Sequence, residues 1–227
     1  MTRTGILAVA LAAMVTIACG GNRDTDANRP GDTPAVGTAG ERPAGTDANA
    51  NRDANRDAGM GVRNWVEDRL EGGMREVKLG ELASQNAQSA DVKAFGRMMV
   101  QDHTKSGEEL KQIASKHNIT APADAGEDNR EAIERLSKLK GAEFDREYMN
   151  MMVEDHEKTM DALEERLDNQ GDEQNPRYSP KQSENAIENE LNQWAAKAAP
   201  TVRKHLERAR QIDQKLDQRT TENPNRQ

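Results

Sequence analysis

Apolar residues recur every three or four positions along four stretches of this chain and are sparse between them. From Val62 to about Ala87 the series is Trp65, Val66, Leu70, Met74, Val77, Leu82 and Ala83. Strands would alternate, so this spacing predicts an amphipathic helix. Gly72 and Gly73 interrupt it at a cost of about 1 kcal/mol each relative to alanine, which close packing would explain. Ser89 and Asp91 read as the cap and first turn of a second helix running to about His117. Its face is Val92, Phe95, Met99, His103, Leu110 and Ile113, and Asn118 and Pro122 stop it. The third helix spans Ala142 to about Leu167, with the seam Met149, Met152, His156, Met160, Leu163 and Leu167. The fourth runs from near Glu184 to near Leu216, with Leu191, Ala198, Val202, His205, Ala209 and Ile212 in register. Pro200 lies inside it and is expected to kink it, since proline lacks a donor and crowds the Ala196 carbonyl.

Four long amphipathic helices predict an all-α fold, a four-helix bundle over residues 60–218. The connection from Thr120 to Lys140 holds a short extra helix around Glu131 to Leu139, between helices two and three. It is long enough to cross the bundle as in a ferritin-like order, although simple up-and-down order also fits. Asn169 to Ser183, with Gly171, Pro176 and Pro180, reads as a loop, and residues 219–227 as a disordered tail. Aromatic residues are only 3% of the chain and β-branched runs are absent, so no strands are expected.

The N-terminal part changes the picture of location. Residues 1–18 carry Arg3, an apolar run from Gly5 to Ile17 and a small residue before Cys19, the pattern of a secretory signal too short to span a membrane. Thr16-Ile17-Ala18-Cys19 resembles a bacterial lipobox, in which the cysteine is freed by cleavage and lipidated. That implies an exported lipoprotein anchored to the membrane through Cys19. In a cell with two membranes, Gly20 after the cysteine resembles the outer-membrane class facing the periplasm. Residues 19–59 are rich in Asn, Asp, Arg, Gly, Ala, Pro and Thr, with Val36 the only large aliphatic between Gly20 and Gly59. Such a composition predicts a disordered tether. The net charge of −8 argues against a nucleic-acid partner, which needs a basic face. A single cysteine excludes an internal disulfide and thiolate clusters.

Candidate chemistry lies in a repeat. Met98-Met99-Val100-Gln101-Asp102-His103 returns 53 residues later as Met151-Met152-Val153-Glu154-Asp155-His156. His103 and His156 each lie 14 residues into their expected helices, Glu76 lies 14 into the first, and His205 about 20 into the fourth. Mid-height residues meet at one level whichever way each helix runs, so Glu76, His103, His156 and His205 are candidate metal ligands. Neutral imidazoles with a carboxylate suit zinc, iron or copper. Asp102, Asp155, Asp145 and Tyr148 are candidate supporting or gating groups around them. Di-iron ferritins place glutamate three residues before histidine. Here that position holds Val100, Val153 and Val202, which argues against a ferroxidase site. Histidines on an apolar seam also serve as hydrogen-bonded core residues that lock helix register.

Several segments in order resemble one family. They are Glu76 to Ala83, Val92 to Phe95, Met99 to His103, Leu139 to Tyr148, Met152 to His156 and Ala199 to Leu206. Together they resemble the uncharacterised bacterial ferritin-like family catalogued as domain of unknown function 4142, over about Gly61 to Ile212. The resemblance implies an exported helical bundle and no established activity. No nucleophile–base pairing, phosphate loop or Glu-x-x-His motif is present to suggest an enzyme. The sequence therefore reads first as a structural or interaction module of the cell envelope. The alternative is a metal-binding bundle acting in envelope metal or oxidative-stress handling.

Overall fold

A computed structural model describes residues 48–172 and 175–222. The chain is mostly helical: α1 (Ala48–Asn86), α2 (Ala90–Lys116), α3 (Glu127–Ser137), α4 (Gly141–Glu164) and α5 (Ala186–Glu222), with β1 (Leu167–Asp172) and β2 (Asn175–Pro180) between α4 and α5. α1 starts well before the expected Val62 and includes the last residues assigned to the tether. α5 likewise extends past Leu216 into the expected tail. Cys19, the signal segment and most of the tether lie outside the described residues.

α1 and α2 form a helical hairpin whose close approach is set by glycine. A Cβ on Gly80 would come within 2.5 Å of the Gly96 carbonyl oxygen, and one on Gly96 within 2.6 Å of the Ala83 methyl. α2 ends where Asn118 takes a left-handed φ of 57°. The Ile119 N–H then donates to the Ala114 carbonyl and the Asn118 N–H to the Ser115 carbonyl, satisfying two terminal acceptors. Ile119 and Ala114 are both buried there, a hydrophobic contact that commonly accompanies such a stop.

Ion pairs give the helix directions. Asp91 at the start of α2 meets Lys215 near the end of α5, and Lys116 at the end of α2 meets Glu190 near the start of α5, so these two run antiparallel. α1 and α4 are antiparallel as well. Ala87, just after α1, bridges Gly141 at the start of α4, and Arg166, just after α4, stacks 4.0 Å from the ring centroid of Trp65, which lies well back along α1. α2 ends at the opposite end from where α4 begins, so the connection through α3 travels back along the bundle.

β1 and β2 correct the expectation of a loop and of a chain without strands. They pair antiparallel from Leu167 opposite Pro180 to Asp172 opposite Asn175. Leu167 is buried, and half-buried Tyr178 packs on the same apolar cluster, which anchors the base of the hairpin. The remainder is polar and held by a backbone ladder that side-chain periodicity does not report. Pro176 and Pro180 are tolerated because a two-stranded ribbon has only edges.

Among the described residues the core forms three apolar clusters. One joins Leu79, Phe95, Met99, Tyr148 and Met152. A second joins Val66, Leu70, Leu110 and Leu191. A third joins Met160, Leu163, Ala199, Val202 and Leu206. The seam expected for the third helix is buried throughout, whereas on α1 Glu76 and Leu79 are buried and Met74 and Val77 only half-buried. α5 runs through Pro200 with that residue exposed. Among the described residues, no helix is long and apolar enough to cross a membrane.

Candidate metal centre

On α2, α4 and α5 the apolar clusters change hands along the helix, and a histidine stands at or next to each change. His103 lies between Met99 of the first cluster and Leu110 of the second, His156 between Met152 of the first and Met160 of the third. His205 lies between Val202 of the third and Ala209 of the first. The three converge. One ring nitrogen from each lies within 4.8 Å of the others, and ring centroids are 5.4 to 5.7 Å apart. Phe95 closes one side, its ring edge-on to His156 at 6.4 Å and to His205 at 6.5 Å.

Hydrogen bonds fix the tautomers of two rings. His156 Nδ1 is 2.8 Å from the Met152 carbonyl oxygen. A carbonyl only accepts, so Nδ1 carries the proton and Nε2 presents a lone pair. His205 Nε2 donates to Asp102 Oδ2 at 2.9 Å, which leaves the lone pair on Nδ1. His156 Nε2, His205 Nδ1 and His103 Nε2 are all buried with no hydrogen-bond partner. Each such orphan costs about 1–3 kcal/mol. Burial, followed by the neighbouring histidines, holds the His103 imidazole well below its ordinary basicity. Burial, then His205, pushes His156 down to about 4. Burial also lowers His205, with the Asp102 carboxylate opposing. Three neutral rings thus converge, and each holds a buried nitrogen without a partner among the described residues.

Glu76, the fourth candidate ligand, does not join this group. Its side chain is buried, and its Oε2 lacks a partner. Burial first, then the nearby Asp155 charge, pushes its carboxyl up to about 8 against the opposing pull of Arg75. Glu76 and His103 line one cleft of about 510 Å³ to which all five helices contribute. The Tyr148 hydroxyl is also buried and unpaired, and burial with the Glu76 charge pushes the phenol well above its usual range. A smaller cleft of about 140 Å³, lined by Asp102, His103 and His205, opens on the α2–α5 side.

The remaining candidate groups divide. Asp102 supports His205 directly. Asp155 instead forms an ion pair with Arg75, although it occupies the position of Asp102 in the repeat. Asp145 lies three turns from His156, roughly 16 Å along α4. There its carboxylate accepts the backbone N–H groups of Gln88 at 3.1 Å and Ser89 at 2.8 Å, closing the α1–α2 turn. Ser89 itself makes no side-chain cap, so Asp145 supplies from another helix what the local sequence was expected to supply. Sequence reasoning missed Arg75 and the walling role of Phe95. Phe95 was legible as two turns before His103 on the same face, whereas nothing distinguished Arg75 from the other arginines.

The sequence profile of a family described as a domain of unknown function (DUF4142) matches residues 47–178. The chain belongs to the DUF4142 family. Glu76, His103 and His156 fall inside the DUF4142 match, while His205 on α5 lies beyond it, so the match stops short of the Ile212 boundary expected from the resemblance. No curated protein and no solved structure matches this DUF4142 chain.

Proposed function

We propose that this protein binds one divalent transition-metal ion through His103, His156 and His205, within a ferritin-like four-helix bundle held at the cell envelope. The observation that carries the reading is that the three imidazoles converge, one ring nitrogen of each within 4.8 Å of the others, and that each ring also holds a buried nitrogen without a partner among the described residues. Three atoms within 4.8 Å of one another all lie within about 2.8 Å of some common point, so an inward shift of roughly 0.7 Å reaches the 2.0–2.1 Å of a zinc–imidazole bond. Asp102 behind His205 and the Met152 carbonyl behind His156 are the partners that orient metal-bound imidazoles in known sites. Nitrogen donors without thiolate suit zinc, copper or iron. The valines at the third position before each histidine disfavour a carboxylate-rich ferroxidase.

The ferritin-like order draws support from the antiparallel pairings and the long return through α3. Location rests on the signal-and-Cys19 pattern: a lipidated chain anchored in the membrane, facing the periplasm in a two-membrane cell. A role in envelope metal or oxidative-stress handling follows from metal binding at that place. The second reading is a structural or interaction module with the histidines locking helix register. The Asp102–His205 and Met152–His156 bonds favour it, yet it leaves three buried nitrogens unpaired.

Cobalt(II) separates the two. A chelator-stripped chain titrated with Co(II) should develop an intense visible ligand-field band that saturates at one ion per chain. The His103→Ala/His156→Ala chain should not. A weak six-coordinate spectrum, the same in both chains, would rule out the site.

A further inference from the structure

The larger cleft has features that a bundle needing only stability would not keep. Gly72 and Gly73 on α1, and Gly107 on α2, line it. A Cβ added to any of them would meet nothing within 4 Å, so these glycines do not serve close packing as the sequence suggested. Their missing side chains instead leave the cleft open. Two of its lining residues hold buried atoms without partners among the described residues, Glu76 Oε2 and His103 Nε2.

Around the cleft lie Asp68, Glu71, Glu127 and Asp128. Three cations line it too, two of them already paired. Arg75 is paired with Asp155 and Lys158 with Glu154, while Arg69 lies in the field of Asp68 and Glu165. Partial burial, then Glu67, Asp68, Asp124 and Asp128 around it, holds the Glu71 carboxyl above its ordinary range. Glu71 also lies across Gly126, whose φ is 81°, where a Cβ would come within 2.6 Å of the carboxylate. The smaller cleft offers a poorer path for a cation, being lined by Lys105 and Lys197 beside Asp102 and Glu109.

We propose that the larger cleft is the route by which a divalent cation reaches the histidines, with Asp68, Glu71 and Asp128 drawing it in and Glu76 as the buried carboxylate it meets there. This rests on the metal reading above and adds a binding position to it. An acidic cleft with apolar walls concentrates cations and raises their association rate by tenfold or more, an effect that falls with salt. Glu76, buried and lining the cleft together with His103, offers the ion a carboxylate on the way to that histidine.

Copper(II) uptake by the full, chelator-stripped chain tests this, because Trp194 lines both clefts and its fluorescence reports bound copper. The wild type should load rapidly, and more slowly as salt is raised. An Asp68→Asn/Glu71→Gln/Asp128→Asn chain should load at least tenfold more slowly at low salt, with a flattened salt dependence. It should still reach one copper per chain, since its three histidines are intact, and that endpoint confirms a folded protein. Glu76→Gln should also slow uptake, whereas Glu109→Gln in the smaller cleft should not. Wild-type rates in the triple variant and in Glu76→Gln, or slowing in Glu109→Gln alone, would overturn the route while leaving the histidine site standing. A wild-type chain that takes up no copper would remove both.

Discussion

Replacing Glu76 by glutamine tests the reading of the buried site without any metal. The carboxyl is 5% exposed, its Oε2 has no partner, and its proton is held up to about 8 against a reference of 4.5. The raised value means that the folded chain keeps a proton the unfolded chain releases. The associated stability is therefore complete below about pH 4.5, and it is lost as pH rises toward about 8. At about 1.4 kcal/mol per unit, the loss is roughly 3 kcal/mol at pH 7 and on the order of 5 kcal/mol above pH 8. Glutamine keeps the shape and removes the titration. Urea unfolding of chelator-stripped chains at a series of pH values should show wild type and Glu76→Gln agreeing within about 1 kcal/mol at pH 5. The gap should then widen in favour of the variant toward pH 8, because every other titrating group is common to both. Parallel curves over that range would refute a buried, unpaired carboxyl at this position.

Gly80→Ala forces a Cβ against the Gly96 backbone and should cost on the order of 2–3 kcal/mol in urea unfolding, whereas Gly72→Ala, with open space around it, should stabilise by up to about 1 kcal/mol. Equal effects at the two positions would contradict the packing described. Asp145→Ala removes the acceptor of two backbone N–H groups at the α1–α2 turn and should cost about 2–4 kcal/mol, with hydrogen exchange rising first at Gln88 and Ser89. Because the histidines are held neutral in the fold, with His156 at about 4, their contribution to stability is present above about pH 6.5 and is lost between there and about pH 4. For the same reason, calorimetric zinc affinity should stay nearly level from pH 8 down to about 5, where a cluster of exposed histidines would weaken below about 6.5.

How much was legible depends on how many neighbours a helix has. The third predicted helix presents a narrow stripe, and its seam from Met149 to Leu167 is buried as read. α1 packs against α2, α3 and α4, so its buried arc is wide; two apolar stripes competed there, and Leu79 with Glu76 displaced Met74 and Val77. The histidine convergence was legible because spacing along a helix gives height, and the apolar row gives the face. Glu76 shows the limit of that reasoning. Height placed it level with His103, but its face was contested, and height does not specify where a carboxylate on the adjacent helix points. The β1–β2 hairpin was hidden because backbone ladders hold it. The role of Asp145 was hidden because its partners are amides 56 and 57 residues away.

The most direct test of the central claim is the metal content of the full chain purified without chelator, beside the His103→Ala/His156→Ala chain. The account predicts one transition-metal ion per wild-type chain and none in the variant. Metal-free wild type that also refuses zinc, copper and iron on titration would contradict it, as would metal retained when both histidines are gone.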